Sequence, residues 1–329
     1  MTKRHTSNIH LHLSHILNKY PDIPESYILN KTSMIKSRRA LRATLVHMEE
    51  ERIILNPYLY VRNCEGYSNH YLIAEVKSWK DLYERIICRN WEAIDSAFYI
   101  RSWKRSRLAY IKYHNTLGKE VPDILEQGPI EYAFVLHPHS LRDDKLELSN
   151  GEPEKVCISP DRLNKEFDWD YDTNQVFRWL SINYRLSLTW IARNLGISRT
   201  TVKGKKRLIE EFTQIYYPTF IHSCPNYTRI LSSFRTEYSG YLREVFGHLS
   251  ATCYLFGNQD RTLLALNTTR PGFAVGFLEK LEERAIIEDL NTEIVAKSWN
   301  RIEDEYNMGR IPERLFWMFK GRIKKKEVK

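Results

Sequence analysis

The 329-residue sequence predicts an α+β fold built from two tandem units, each a helical head followed by a sheet domain of βαββαβ order. Three observations predict it. The chain repeats itself: Ser37-Arg38-Arg39-Ala40-Leu41 aligns with Ser198-Arg199-Thr200-Thr201-Val202, an offset of 161 residues. Without gaps, that offset also places Met48-Glu49-Glu50 on Ile209-Glu210-Glu211 and Pro57 on Pro218. Residues 186–208 carry the spacing of a helix–turn–helix. After each helical stretch, the apolar pattern shifts from a period near 3.6 to a period of two, as strands require.

The first unit opens with Ile9, Leu11, Leu13, Ile16 and Leu17 at helical spacing, stopped by Pro21. Two helices follow, the second basic, and then the extended run 53–61 around Pro57. In the second unit the same order runs through Val176, Phe177, Leu180 and Ile182, the helices of 186–208, and 215–221 around Pro218. Three helices and a short ribbon make a winged helix-turn-helix, assigned to 1–65 and 173–224. Downstream, strands are expected at 70–77, 94–101, 107–113 and 130–136, with helices at 81–89 and 121–127. The second set has strands at 227–234, 251–256, 262–266 and within 285–296, with helices at 238–246 and 273–284. That order is the split-βαβ, ferredoxin-like arrangement, assigned to 66–138 and 225–299. The polar stretch 139–172 reads as a linker. Residues 300–329 read as a basic C-terminal tail whose apolar segment 315–319 packs against the domain.

The segment 186–208 is the most informative. Ala192 lets two helices approach closely, and Gly196 suits a tight turn that needs positive φ. Ile197 packs beneath the turn, and Ser198 is placed to cap the next helix. That helix then presents Arg199, Thr200, Thr201, Lys203, Lys205, Lys206 and Arg207, while Val202 and Leu208 face inward. In such a motif the first residues of the second helix meet base edges, and flanking cations engage phosphates. The first unit carries a degenerate copy over 33–53: Ser37 caps, Leu41, Leu45 and Met48 face inward, and Lys36, Arg38, Arg39 and Arg42 form the basic face. Ile35 stands where the turn glycine stands in the second copy.

Composition sets limits. Hydrophobic residues make up 42% and charged residues 28%, which is globular usage rather than disorder. No apolar run reaches the roughly 18 residues of a membrane span, and the N-terminus lacks a signal peptide's apolar block. Five scattered cysteines, none in a CxxC pair, fit free thiols in a reducing compartment. The reading is therefore a cytoplasmic, nucleoid-associated protein. A net charge of +9 favours a polyanionic partner. His10, His12 and His15 read as exposed first-turn histidines rather than metal ligands, and His137-Pro138-His139 as a turn. Tyr58, Tyr60, Tyr99, Tyr110 and Tyr113 read as sheet core or interface rather than base-stacking residues. The run 101–107 reads as a basic hairpin tip. No signature of a P-loop, zinc protease, serine hydrolase or carboxylate pair is present, so no cofactor and no enzymatic activity are expected.

A winged helix-turn-helix followed by a ferredoxin-like domain resembles the Lrp/AsnC (feast/famine) transcription regulators, here duplicated in tandem. The resemblance rests on element order, on Leu195-Gly196-Ile197-Ser198-Arg199-Thr200-Thr201-Val202, and on Met48-Glu49…Ile53-Ile54…Pro57. It implies DNA binding by the first domain, and dimerisation with small-effector binding by the second. The chain departs from the family where Arg52 and Gln214 replace the glycine before the wing. The expected function is a sequence-specific regulator that reads double-stranded DNA with both heads. A small-molecule effector is a further partner, and the assembly is a homodimer or an intramolecular pseudo-dimer.

Two alternatives use the same architecture. One is a non-specific architectural DNA-binding protein. The other is an enzyme resembling siroheme decarboxylases, which look like Lrp/AsnC proteins and occur as fused pairs of units. There a groove between ferredoxin-like domains would hold a porphyrin, with His and Arg on its carboxylates. The characteristic Trp-Pro-Tyr-Asn stretch is missing, and Trp103-Lys104-Arg105-Ser106 stands in that region.

Overall fold

The computed structural model describes residues 3–101, 107–115, 117, 119–143, 146, 148, 153–156, 162–311, 315 and 318, with side chains from residue 7 onward. In chain order the first repeat gives α1 (Lys3–Lys19), α2 (Glu25–Lys31), α3 (Arg38–Glu50), β1 (Tyr58–Val61), β2 (Asn63–Glu65), β3 (Asn69–Glu75), α4 (Trp79–Asp81, running on as a π-helix over Leu82–Ile87), β4 (Ile94–Arg101), β5 (Arg107–His114), β6 (Ile124–Pro129) and β7 (Tyr132–Leu136). Then come β8 (Arg162–Glu166), α5 (Tyr171–Ile182), α6 (Leu188–Leu195), α7 (Arg199–Phe212) and β9 (Thr213–Tyr216). The chain ends with β10 (Thr228–Arg235), α8 (Ser239–Phe246), β11 (Cys253–Gly257), β12 (Thr262–Thr268), α9 (Pro271–Glu283), β13 (Glu288–Asn300) and α10 (Arg301–Asn307). This is the α+β fold, winged helix-turn-helix plus ferredoxin-like, in tandem. It forms two compact units, and like pairs with like: the helical heads share one unit and the sheet domains the other.

In the head unit, α1–α3 enclose a core of Leu13, Leu17, Ile28, Leu41, Leu45 and Met48, all fully buried. The second head encloses Val176, Leu180, Ile191, Val202 and Ile209. Ser37 caps α3 by accepting from the Ala40 N–H (3.1 Å), and Ser198 caps α7 by accepting from the Thr201 N–H (3.0 Å). Gly196 takes φ +69° at the turn between α6 and α7, a conformation open to glycine and strained for most other residues. The extended runs do not fold back as separate wings. Instead β1 pairs antiparallel with β9, Tyr58 opposite Tyr216, and a bridge joins Ile54 to Thr219. The exchange extends into the cores. Leu59 of the first repeat packs in the second head, and Tyr217 of the second packs in the first. From the tail, Met318 is buried in the first head and its N–H donates to Glu49.

In the sheet unit, the strand orders are β6-β3-β5-β4 and β13-β10-β12-β11, both the 4-1-3-2 order of a ferredoxin-like sheet. The fourth strand of each repeat serves both sheets. Residues 288–294 of β13 pair with β10, and 295–300 pair with β4. The first repeat does the same through two successive strands: β6 pairs with β3, and β7 pairs with β11. The Ile130 N–H still donates to Asn69 and the Glu131 N–H already donates to Gly257, so the ladder closes on itself. Helices cover the outer faces, Phe246 and Leu278 clustering with Leu255 of the sheet in the second repeat and Ile86 with Leu72 and Ala97 in the first. Between the sheets lie Tyr71, Ile73, Ile100, Tyr110, Leu231, Leu263 and Ala265.

The helix expected at 121–127 is a strand instead. Val121, Ile124 and Leu125 mimic helical spacing, but Asp123 takes φ +56° and the next residues pair with β3. Long-range pairing overrides a short local pattern. No helix of the described residues is long and apolar enough to cross a membrane. The run 102–106 and the tail 319–329 lie outside the described residues.

Candidate active site

The basic helices of the heads divide into exposed and engaged residues. Lys36, Ser37, Arg38 and Arg39 of the first head are exposed, and Arg42 is half-buried. Arg38 lies 3.8 Å from Glu25. In the second head Ser198, Arg199, Thr200, Lys203 and Arg207 are exposed, while Thr201 and Lys205 are half-buried. Lys205 bonds to Asp170. Lys205 and then Thr173 hold that carboxyl well below the usual range. The expectation that α7 presents all its cations to solvent is corrected at Lys206, which is buried. Its ammonium bonds to Asp22 of the first repeat and lies 4.3 Å from the centre of the Tyr184 ring. The lysine side chain thus links the second repeat to the first.

Other expectations shift as well. His10 is buried rather than exposed, its ring 5.7 Å from that of His47. Burial, with His47 adding to it, pushes its pKa down to about 4. Tyr60, Tyr99, Tyr110 and Tyr113 are buried in strands, in agreement with their reading as sheet core. The Tyr71 hydroxyl donates to Glu126 (2.8 Å), which Arg261 of the other repeat also approaches at 3.3 Å. Burial and then Glu126 push the Tyr71 hydroxyl up.

A second constellation lies in the closed sheet unit. Side chains alternate along a strand, so the inward positions of β5 are Leu108, Tyr110, Lys112 and His114. β4 bulges opposite them: Ile94 pairs with Tyr113 and Ser96 with Lys112, leaving Asp95 as the extra residue. Bulges re-aim a side chain and are frequent beside active sites. Here the bulge brings the Asp95 carboxylate to Lys112 Nζ (2.7 Å) and to His114 Nδ1 (3.5 Å). Side-chain exposures are 16% for Asp95, 14% for Lys112 and 23% for His114, so the group is sheltered yet open to solvent at the imidazole. Burial alone would raise the Asp95 carboxyl. Lys112, His114 and Arg301 override it and hold Asp95 well below the usual carboxylate range. Arg301 is itself oriented by donating to the Glu92 carbonyl at 3.1 Å.

One face of the imidazole is covered. The Tyr67 ring stacks on His114 (5.4 Å, 16°), and Phe167 lies against Tyr67 (4.8 Å, 35°). In the second repeat the inward positions of the equivalent strand β12 are Leu263, Ala265 and Asn267, the last accepting from Arg229 of β10 at 2.9 Å. An ionised aspartate, a lysine and an imidazole with an open edge can hold an anionic group and move a proton. Sequence reasoning placed both strands and missed this cluster. The available signal was a lysine and a histidine at alternating positions of an otherwise apolar strand.

No family model matches the sequence, and no curated protein matches it. Solved structures do resemble it. A crystal structure of the siroheme decarboxylase NirDL has a TM-score of 0.48 and 10% identity, covering 90% of this chain and 96% of that one. The same enzyme with an iron-uroporphyrin III analogue gives a TM-score of 0.47 at 10% identity, with the same coverage. A protein described as a monooxygenase from Fusobacterium nucleatum gives 0.28 at 10% identity, over 72% of this chain and 95% of that one. None of these is a transcription regulator. On that finding the expectation of a sequence-specific DNA-binding regulator without enzymatic activity is corrected. At this identity and TM-score the likeness concerns the course of the backbone, and no residue role is taken from it.

Proposed function

We propose that the chain is an enzyme whose acid–base centre is Asp95, Lys112 and His114, acting on a carboxylate-bearing substrate. What supports this reading is the asymmetry between equivalent strands of the two repeats: β12 carries Leu263, Ala265 and Asn267 at its inward positions, and β5 carries Lys112 and His114 beside Asp95. Perturbed, partly desolvated ionisable groups such as Asp95 cluster at functional sites. Arg301 and Lys112 supply positive charge for a substrate carboxylate. Asp95 remains ionised beside the imidazole of His114.

The reaction this arrangement suits is decarboxylation. The C–C bond to the carboxylate breaks, carbon dioxide leaves, and the electron pair stays on the substrate carbon. His114 gives that carbon a proton and recovers one from water. A general acid positioned in this way contributes about 10²–10⁴-fold. Siroheme, a tetrapyrrole rimmed with carboxylates, is the first probe. Titrated anaerobically into the full chain, it shifts its main absorbance band on binding, and Arg301→Gln weakens that binding. A spectrum indifferent to the protein at all concentrations overturns the reading.

A further inference from the structure

The rings of Phe167, Tyr67 and His114 form one stack contributed by three separate segments. Tyr67 follows a tight turn in which Cys64 and Tyr67 exchange backbone hydrogen bonds (2.9 and 3.3 Å), with Gly66 at φ +80°. Beyond that turn the segment joining the two repeats arrives as β8, parallel to β2. The Phe167 N–H donates to the Glu65 carbonyl at 2.7 Å, which fixes the backbone of Phe167 beside the turn. Its ring then bears on Tyr67, and the Tyr67 ring lies nearly parallel to the imidazole. At its Nδ1 edge the imidazole meets Asp95 at 3.5 Å, the distance of an ion pair rather than a tight hydrogen bond. Asp95 attracts the ring's proton to Nδ1, but at that range it does not fix the plane of the ring. The stack does.

We infer that Phe167 and Tyr67 are positioning residues for His114, so that the segment between the repeats sets the orientation of the acid–base side chain. This rests on the functional reading given above. The rings reach the cluster through the imidazole, Phe167 against Tyr67 and Tyr67 against His114. Phe167 is only half-buried, so its removal is tolerable to the fold, and the backbone bond to Glu65 survives it.

The test reads His114 directly, in the full chain labelled with ¹⁵N-histidine, the signal assigned by its loss in His114→Gln. In the wild type the neutral ring carries its proton on Nδ1, toward Asp95. In Phe167→Ala the ratio of the two tautomers falls by about two- to tenfold, the worth of one aromatic contact, and the ring-current shift from Tyr67 weakens. Phe167→Tyr restores both. Tyr67→Leu gives the same loss, and Tyr67→Phe restores it. A His114 signal unchanged in both Phe167→Ala and Tyr67→Leu overturns the inference, whatever the enzyme assay gives. A changed signal, in a protein that leaves siroheme untouched, upholds the positioning and overturns the functional reading instead.

Discussion

Replacing Lys206 by alanine separates a structural role from a surface one on the same helix. Its side chain is 9% exposed, and its ammonium reaches Asp22, Glu210 (3.9 Å) and the face of Tyr184. Truncation removes three methylenes from the interior, at about 0.8 kcal/mol each. It also removes a desolvated cation–π contact worth about 0.5–2 kcal/mol. The partner Asp22 is 56% exposed, so the ion pair adds at most about 1 kcal/mol. Alanine's better helix propensity returns a few tenths of a kcal/mol. The net expectation is a loss of about 3 kcal/mol in urea unfolding. The exposed neighbour Arg207→Ala should lose no more than about 0.5 kcal/mol. Lys206→Met, which keeps the stem, should recover most of the difference. Equal losses for Lys206→Ala and Arg207→Ala would refute the assignment of Lys206 to the interior.

The remaining predictions concern packing inside each of the two units. Leu59→Ala should cost about 2–4 kcal/mol and lower hydrogen-exchange protection in α5–α7, although Leu59 belongs to the other repeat; protection lost only in α1–α3 would contradict the exchanged packing. Asp143 accepts from the N–H and hydroxyl of Ser250 (3.0 and 2.5 Å), the hydroxyl of Thr268 (2.9 Å) and both groups of Thr269 (2.6 and 2.8 Å). Burial would raise its carboxyl, but the donors of Ser250 and Thr269 win and hold it low. Its contribution is therefore complete above the unfolded-state pKa of about 4 and lost as pH falls through the lower folded value. Asp143→Asn should destabilise by about 2–4 kcal/mol at neutral pH, with the gap to the wild type closing in acid. A gap that does not change between pH 7 and pH 3 would argue against this.

Much of the architecture is legible in the residues. Gly196, Ser198 and the alternation of Ile94–Arg101 specify local geometry, and local geometry is what a sequence states. The partner of a strand is not local. Nothing in Ile53–Val61 announces pairing with Thr213–Tyr216, because a ribbon that folds back on itself and one that pairs across the repeat need the same β-prone residues. The same reason hid the helix-to-strand exchange at 124–129. The site was hidden more deeply. Asp95, Lys112, His114 and Arg301 are ordinary in sequence, and the bulge that gathers the first three is visible only once β4 and β5 are in register. The cations of α7 misled in the opposite sense: a row of Lys and Arg reads as a nucleic-acid face until Asp22 and Asp170 are seen to occupy two of them.

Mass analysis of siroheme after anaerobic incubation with the full chain tests the central claim most directly. The account predicts products lighter by carbon dioxide, formed by the wild type and at least about 10²-fold more slowly by His114→Gln, with Arg207→Ala unimpaired. Siroheme recovered intact from the wild type, or turned over equally well by His114→Gln, would contradict it.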